Sequence, residues 1–224
     1  TSEDGEVPLA HATFPGNTGD VSTVPEALRA LRRCLPTDPV VVSGDSVMWS
    51  QANMDAVAAS GGVFLGPIAM IPTVAAWVCA ASPEVEVDVA LAGRGEPVPY
   101  RACVVGRFPV NGVADAGARL VVFDPRRAVA EAQERSKALA RMDEALAALR
   151  DRLNGPKLKK RADVSKRLDA LRTRHGLASR FVHVTLRTRA GQLELTWSRD
   201  EAALAESARR DGRWPLVTNR AGLS

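Results

Sequence analysis

Gly44-Asp45-Ser46 is where residue types and spacing can do chemistry. It follows the apolar run Val40-Val41-Val42, so it stands at the carboxyl end of a strand, where α/β sheets place their ligands. Two chemistries are open to it. Ser46 can act as a nucleophile, but a hydroxyl needs a histidine base, itself oriented by a carboxylate. Asp45 can ligate a divalent ion, since Mg²⁺ prefers hard oxygen ligands and is held by a few carboxylates plus substrate phosphate. The plain alternative for Asp45 is a turn former or helix cap.

The serine reading must find its base. Gly44-Asp45-Ser46-Val47 resembles the first block of the GDS-type serine esterases, whose base sits in an Asp-x-x-His block near the C-terminus. Three residues before His175 stands Arg172, and three before His183 stands Arg180. Neither is acidic, and His183 falls within a strand-like alternation. The third histidine, His11, has no metal-ligand spacing to the other two.

A second group that can do work is basic. Residues 151–180 hold ten Lys/Arg against three Asp, a local +7, whereas the whole chain carries +4. Lys157, Lys159, Lys160 and Arg161 are its densest part. They suit phosphate contacts, with binding that weakens steeply as salt rises. The alternative is a solvated helical face and tip.

The elements that must position these groups change character along the chain. Val7 to Phe14 alternates loosely like a strand, and Phe14–Asp20, "FPGNTGD", is dense in turn residues. A helix is expected from Val24-Pro25-Glu26, with Pro near its first turn, through Leu28, Leu31 and Leu35, ended by Pro36. Val40–Val42 reads as a central parallel strand covered on both faces. Ser50 caps a helix carrying Met54, Val57 and Ala58; Gly61-Gly62 stops it and Val63–Leu65 starts a strand. Residues 7–71 thus read β-α-β-α-β, the pattern of an α/β layer.

Residues 84–123 alternate like strands interrupted by Gly and Pro. Asp124-Pro125 then opens a long helix. Its Leu139, Met142, Leu146, Leu149 and Leu153 form a seam at spacings of 3, 4, 3 and 4. Asn154-Gly155-Pro156 breaks it, and a second helix carries Val164, Leu168 and Leu171 to Gly176. The expectation is an antiparallel helical hairpin whose seam packs within the chain. A β-hairpin across Ala190-Gly191, a short helix and a final strand, "RWPLVTN", complete the chain.

Bulk composition sets limits. The chain has 224 residues, 46% of them apolar, enough to bury a core. It lacks the run of about 18 apolar residues that a membrane span needs and the basic-then-apolar start of a signal peptide. Cys34, Cys79 and Cys103 are odd in number and far apart, which reads as thiols in a reducing compartment. The chain opens on Thr1 in mid-pattern, which reads as an internal piece of a longer protein.

Three stretches, in order, resemble the transposases of bacterial insertion sequences, specifically the insertion-sequence-four-like group. "DGEVPLAHATFPGNTGD" is similar to that family's strand and Pro-Gly-Asn-x-x-Asp loop, with Pro15, Gly16, Asn17 and Asp20. "VVVSGDSVMWSQANMDAV" is similar to the strand of its second catalytic Asp and a Ser-x-x-Asn helix start, with Asp45, Ser50 and Asn53. "DGRWPLVTNRAGLS" is similar to its Asp-Gly-aromatic…Leu-Val-Thr-Asn strand, with Asp211, Gly212, Trp214 and Asn219. One departure is local: the family's Asp-Arg-Gly is replaced by Asp45-Ser46-Val47.

The resemblance implies an α/β fold with a partial RNase H-like mixed sheet, and an α+β insertion containing a helical hairpin. It divides the chain into a partial catalytic core (residues 1–80), the insertion (81–208, hairpin near 124–175) and a return to the core (209–224). It implies a DDE site with Mg²⁺ or Mn²⁺, in which Asp45 is catalytic and a metal ligand. The other carboxylates are expected upstream of Thr1 and downstream of Ser224, so this piece alone is expected to be inactive. Asn17, Asp20 and Asn53 are motif positions without an assigned role. The implied activity of the full protein is DNA transposition by metal-dependent cleavage and strand transfer. Its implied partners are double-stranded DNA and further copies of itself, in the bacterial cytoplasm and on the nucleoid when acting. The alternatives are an inactive transposase remnant that retains DNA binding, and the serine esterase.

Overall fold

The computed structural model describes residues 11, 13–37, 40–83, 85–89 and 98–222. The fold is mixed α/β and divides into two compact units, Thr1–Asp124 with Arg213–Ser224, and Pro125–Gly212. Among the described residues, no helix is long and apolar enough to cross a membrane.

The first unit runs α1 (Asp20–Cys34), β1 (Val41–Ser43), α2 (Gln51–Ala59), β2 (Val63–Pro67), α3 (Pro72–Ala80), β3 (Val85–Val89), β4 (Val98–Val110) and β5 (Val113–Phe123). The second runs α4 (Pro125–Arg150), α5 (Arg161–Arg174), α6 (Gly176–Ser179), β6 (Val182–Arg189), β7 (Gln192–Arg199) and α7 (Glu201–Ala208). The chain then returns to the first unit as β8 (Arg213–Thr218).

One six-stranded sheet, in the order β1-β2-β8-β5-β4-β3, organises the first unit. The pair β1–β2 is parallel and all other neighbours are antiparallel. The parallel pair is joined through α2, as parallel strands require a crossover. β8 pairs along its whole length with the second half of β5, with Phe123 opposite Arg213 and Ala118 opposite Thr218. β3 to β5 therefore extend the same sheet as β1 and β2. The compact division falls at 124/125 and 212/213, where the sequence-based division stood at 80/81 and 208/209.

Cross-strand partners share a face, and alternate residues along a strand do too. By that register Val42, Phe64, Gly66, Val217 and Val121 lie on one face. Among the described residues, all three helices of the unit cover it. Val24 and Leu28 of α1 and Met54 and Val57 of α2 pack with Phe64 and Val217. Val74 and Val78 of α3 pack with Val121. The opposite face carries Val41 and Leu65, which are 63% and 40% exposed. Among the described residues β1 is accordingly an edge strand with one exposed face, where its three valines predict a central strand covered on both faces.

Besides the one-turn α6, two helices depart from expectation. α1 begins at Asp20, ahead of the start that Pro25 marks, so Pro25 lies inside it. α3 has no sequence-based counterpart: "PTVAAWVCA" is nearly all apolar and shows no polar face to give a period. Pro72 at its first turn was the available signal. α2 and its Ser50 cap stand where expected, with the Ser50 hydroxyl accepting from the Asn53 backbone N–H at 3.3 Å.

In the second unit, Leu139, Met142, Leu146 and Leu149 of α4 are buried in one core with Val164 and Leu168 of α5. Val182, Leu193 and Leu195 of the β6–β7 hairpin complete it. The seam is thus an internal packing surface, as its pairing with the second helix predicts. The turn Ala190-Gly191 has both φ angles positive, +48° and +79°, which is the geometry of a two-residue type I′ hairpin loop.

Candidate functional site

Asp45 stands two residues beyond β1 and is exposed. Its Oδ1 accepts the Val47 N–H at 3.0 Å, and its carbonyl accepts the Met48 N–H at 3.3 Å. This is an Asx turn, in which a short carboxylate folds the chain back on itself. Oδ2 has no hydrogen-bond partner among the described residues, so half of the carboxylate is left for a ligand. Ser46 has no hydrogen bond to a histidine among the described residues, which leaves the esterase reading without its base.

The turn is held from beneath by side chains. Trp49 packs on Phe64, ring centroids 5.7 Å apart. Any side chain at Gly66 would occupy the space of the Trp49 indole, so only glycine fits that strand position.

Asn53 is the central clamp. It is 3% exposed, and its Nδ2 donates to the carbonyls of Met48 and Val21, both at 2.8 Å. The first bond fixes the end of the Asp45 turn. The second answers a vacancy created by Pro25. A proline has no N–H for the carbonyl four residues earlier, and that carbonyl is Val21. One amide thereby joins α1, the Asp45 turn and α2.

The other motif positions also have structural work. The Asn219 side chain accepts the Phe64 N–H at 2.8 Å and donates to the Gly62 carbonyl at 3.0 Å, pairing with β2 as a backbone would. In the second unit, Asp211 takes both terminal nitrogens of Arg135 at 2.6 Å. Gly212 adopts φ +67° and donates its N–H to Glu131 at 2.8 Å. The hydrogen bonds that Arg135 donates to Asp211 raise its pKa above its ordinary value. Asn17 is exposed within the turn closed by the Thr18 N–H on the Pro15 carbonyl at 2.9 Å. The Asp20 side chain, and most of the strand expected at 7–14, lie outside the described residues.

Among the described residues, no three His, Cys, Asp or Glu side chains are grouped so as to hold a metal ion. Asp45 offers one carboxylate, whereas Mg²⁺ demands near-octahedral oxygen coordination and takes one or two carboxylates together with phosphate and water. The described residues therefore do not fit a resident Mg²⁺ or Mn²⁺ by themselves.

The basic residues sort sharply between the units. Pro125–Gly212 holds twenty-one Lys/Arg against twelve Asp/Glu, and the remainder of the chain holds nine against fourteen. Lys157, Lys159, Lys160 and Arg161 are all exposed at the turn between α4 and α5, with no ion pair among the described residues. Lys157 lines a groove of about 430 Å³ with Lys166, Arg167 and Asp163. Lys166 and Arg167 were not among the four residues singled out from sequence. The signal for them is the helical register of α5, which turns them to the same groove.

Compared with protein-family models, with curated proteins and with solved structures, the chain matches none.

Proposed function

We propose that this chain is a large part of a DNA transposase catalytic domain, an RNase H-like sheet interrupted by an α+β insertion. The observation that carries the reading is Asp45 in its exposed turn at the carboxyl end of β1, within a parallel β1–α2–β2 unit. Two motif positions support it: Asn53 clamps the turn and Asn219 pairs with the strand beside it. On the sheet face not covered by α1 to α3, Val41 and Leu65 are exposed, which suits a further layer against that edge. The insertion supplies the positive charge for double-stranded DNA, through Lys157, Lys159, Lys160 and Arg161. In this reading Asp45 is one ligand of a Mg²⁺ or Mn²⁺ site whose other carboxylates come from outside this chain, and the chain alone is inactive.

The test is strand cleavage and joining by a polypeptide that includes this chain, with labelled duplex DNA and Mg²⁺ or Mn²⁺, comparing wild type with Asp45→Asn. The expected result is a loss of at least about 100-fold in rate, as removal of charge stabilisation at a reacting centre produces, with duplex affinity retained. Unchanged joining by Asp45→Asn would refute the assignment. Duplex binding without cleavage in the wild type would leave the inactive remnant. Ester hydrolysis that Ser46→Ala abolishes would replace both with the esterase.

A further inference from the structure

A second basic groove lies within the insertion, away from the Lys157–Arg161 cluster and joining Arg174 to cations of α4. It has a volume of about 510 Å³ and runs between α4 and the chain from the end of α5 through α6. Lys137 and Arg141 stand on its α4 wall, and Arg174 and His175 on the other. Glu134 is its one acidic lining residue. Lys137 and Arg141 are four apart and so face the same way from α4. Lys137, Arg141 and Arg174 are all exposed and have no ion pair among the described residues. Elsewhere in the unit cations do find carboxylates, as Arg127 does on Glu131 at 2.7 Å and Arg199 on Asp143 at 2.7 Å. Alanines 130, 138 and 178 line the same groove between the cations.

We propose that this groove is a second contact site for the phosphate backbone of double-stranded DNA. A single small anion would engage one groove only. Arg167 in the groove at the hairpin turn and Arg174 here are seven residues apart on α5, which places them on one face about 10.5 Å apart. A ligand with charges repeated along its length meets both. The choice of DNA as that polyanion rests on the function proposed above; the groove itself requires only spaced phosphates.

The experiment is fluorescence anisotropy of the full chain with a labelled 30-base-pair duplex, at several NaCl concentrations from 50 to 200 mM. The groove variant is Lys137→Ala/Arg141→Ala/Arg174→Ala, and the comparison variant is Lys157→Ala/Lys166→Ala/Arg167→Ala. Loss of three phosphate contacts lowers the slope of log affinity against log salt by about 2.7. The affinity lost between those salt concentrations should then shrink about 40-fold relative to wild type. Each triple variant should show such a change. Lys137→Gln alone, which preserves the helix, should lower the slope by about 1. If wild type and groove variant share one slope and affinity while the turn variant weakens, the groove is no contact site and DNA binding stands. If wild type shows no salt-dependent duplex binding at 50 mM, both this site and the DNA function fall.

Discussion

Removing the Asp211 carboxylate should destabilise the insertion more than any surface ion pair could. Arg135 and Asp211 are only 13% and 12% exposed, and two parallel hydrogen bonds of 2.6 Å join them. Asp211→Ala leaves a guanidinium in a largely dry site. A hydrogen bond to a charged group contributes about 1.5–3 kcal/mol, and orphaning one member of a fully buried pair costs about 3–5 kcal/mol. With roughly an eighth of each side chain still wet, the expected cost is about 2–4 kcal/mol. Arg135→Met should cost a similar amount, because it strands the carboxylate. The double variant Arg135→Met/Asp211→Leu should cost less than the sum of the two singles. Urea unfolding followed by circular dichroism at 222 nm reads this directly. With a slope of about 1–3 kcal/mol per molar urea, the single variants should shift the midpoint down by about 1–2 M. A coupling energy below about 0.5 kcal/mol in the cycle would refute the reasoning, because exposed pairs give values that small.

Asn53→Ala should lower stability by about 1–3 kcal/mol, since it orphans the Val21 carbonyl and leaves the Met48 carbonyl only the Ser50 N–H at 3.1 Å. The loss should be smaller in a Pro25→Ala background, where residue 25 regains an N–H for Val21; an unchanged loss in thermal denaturation would break that link. Ala190→Gly should stabilise the β6–β7 hairpin by about 1 kcal/mol, because Ala190 sits at φ +48°. That corresponds to a melting-temperature rise of about 2–4 °C, and a decrease would count against the strain. Asp200 caps α7 by accepting the Ala203 N–H at 2.9 Å, and chiefly that bond holds its pKa below the ordinary value of 3.8. The stability it adds is present above that value and is lost as pH falls through the depressed one. The gap in urea midpoint between wild type and Asp200→Ala should therefore be open at pH 7 and narrow towards pH 2; a gap independent of pH would exclude this origin.

Where a local signal and its tertiary context agree, the sequence is legible. The leucine seam of α4, the Ser50 cap and the Ala190-Gly191 turn each declare themselves through spacing or turn chemistry, and the structure keeps them. Pro25 misleads for a physical reason. A proline inside a helix normally marks a first turn, and the compensation lies on Asn53, twenty-eight positions away. The valines of β1 predict burial on both faces, but strand composition reports propensity rather than position in a sheet. The joining of β3–β5 to the core sheet was equally hidden, because β8, the strand that bridges β2 and β5, comes after the whole insertion. At the candidate site, position and carboxylate were readable. The clamp by Asn53, Trp49 and Gly66 was not, since no spacing rule links those residues.

The β5–β8 register has one more consequence. The insertion leaves the sheet after Phe123 and re-enters at Arg213, and these two residues are direct cross-strand partners. Their Cα atoms are therefore about 5 Å apart, the gap that a two-residue turn closes. Topologically the eighty-eight residues from Pro125 to Gly212 stand in place of a hairpin turn. Whatever is grafted between those two strand ends, the strands can keep the same pairing. The second unit is thus a cassette, exchangeable without moving the sheet that carries Asp45.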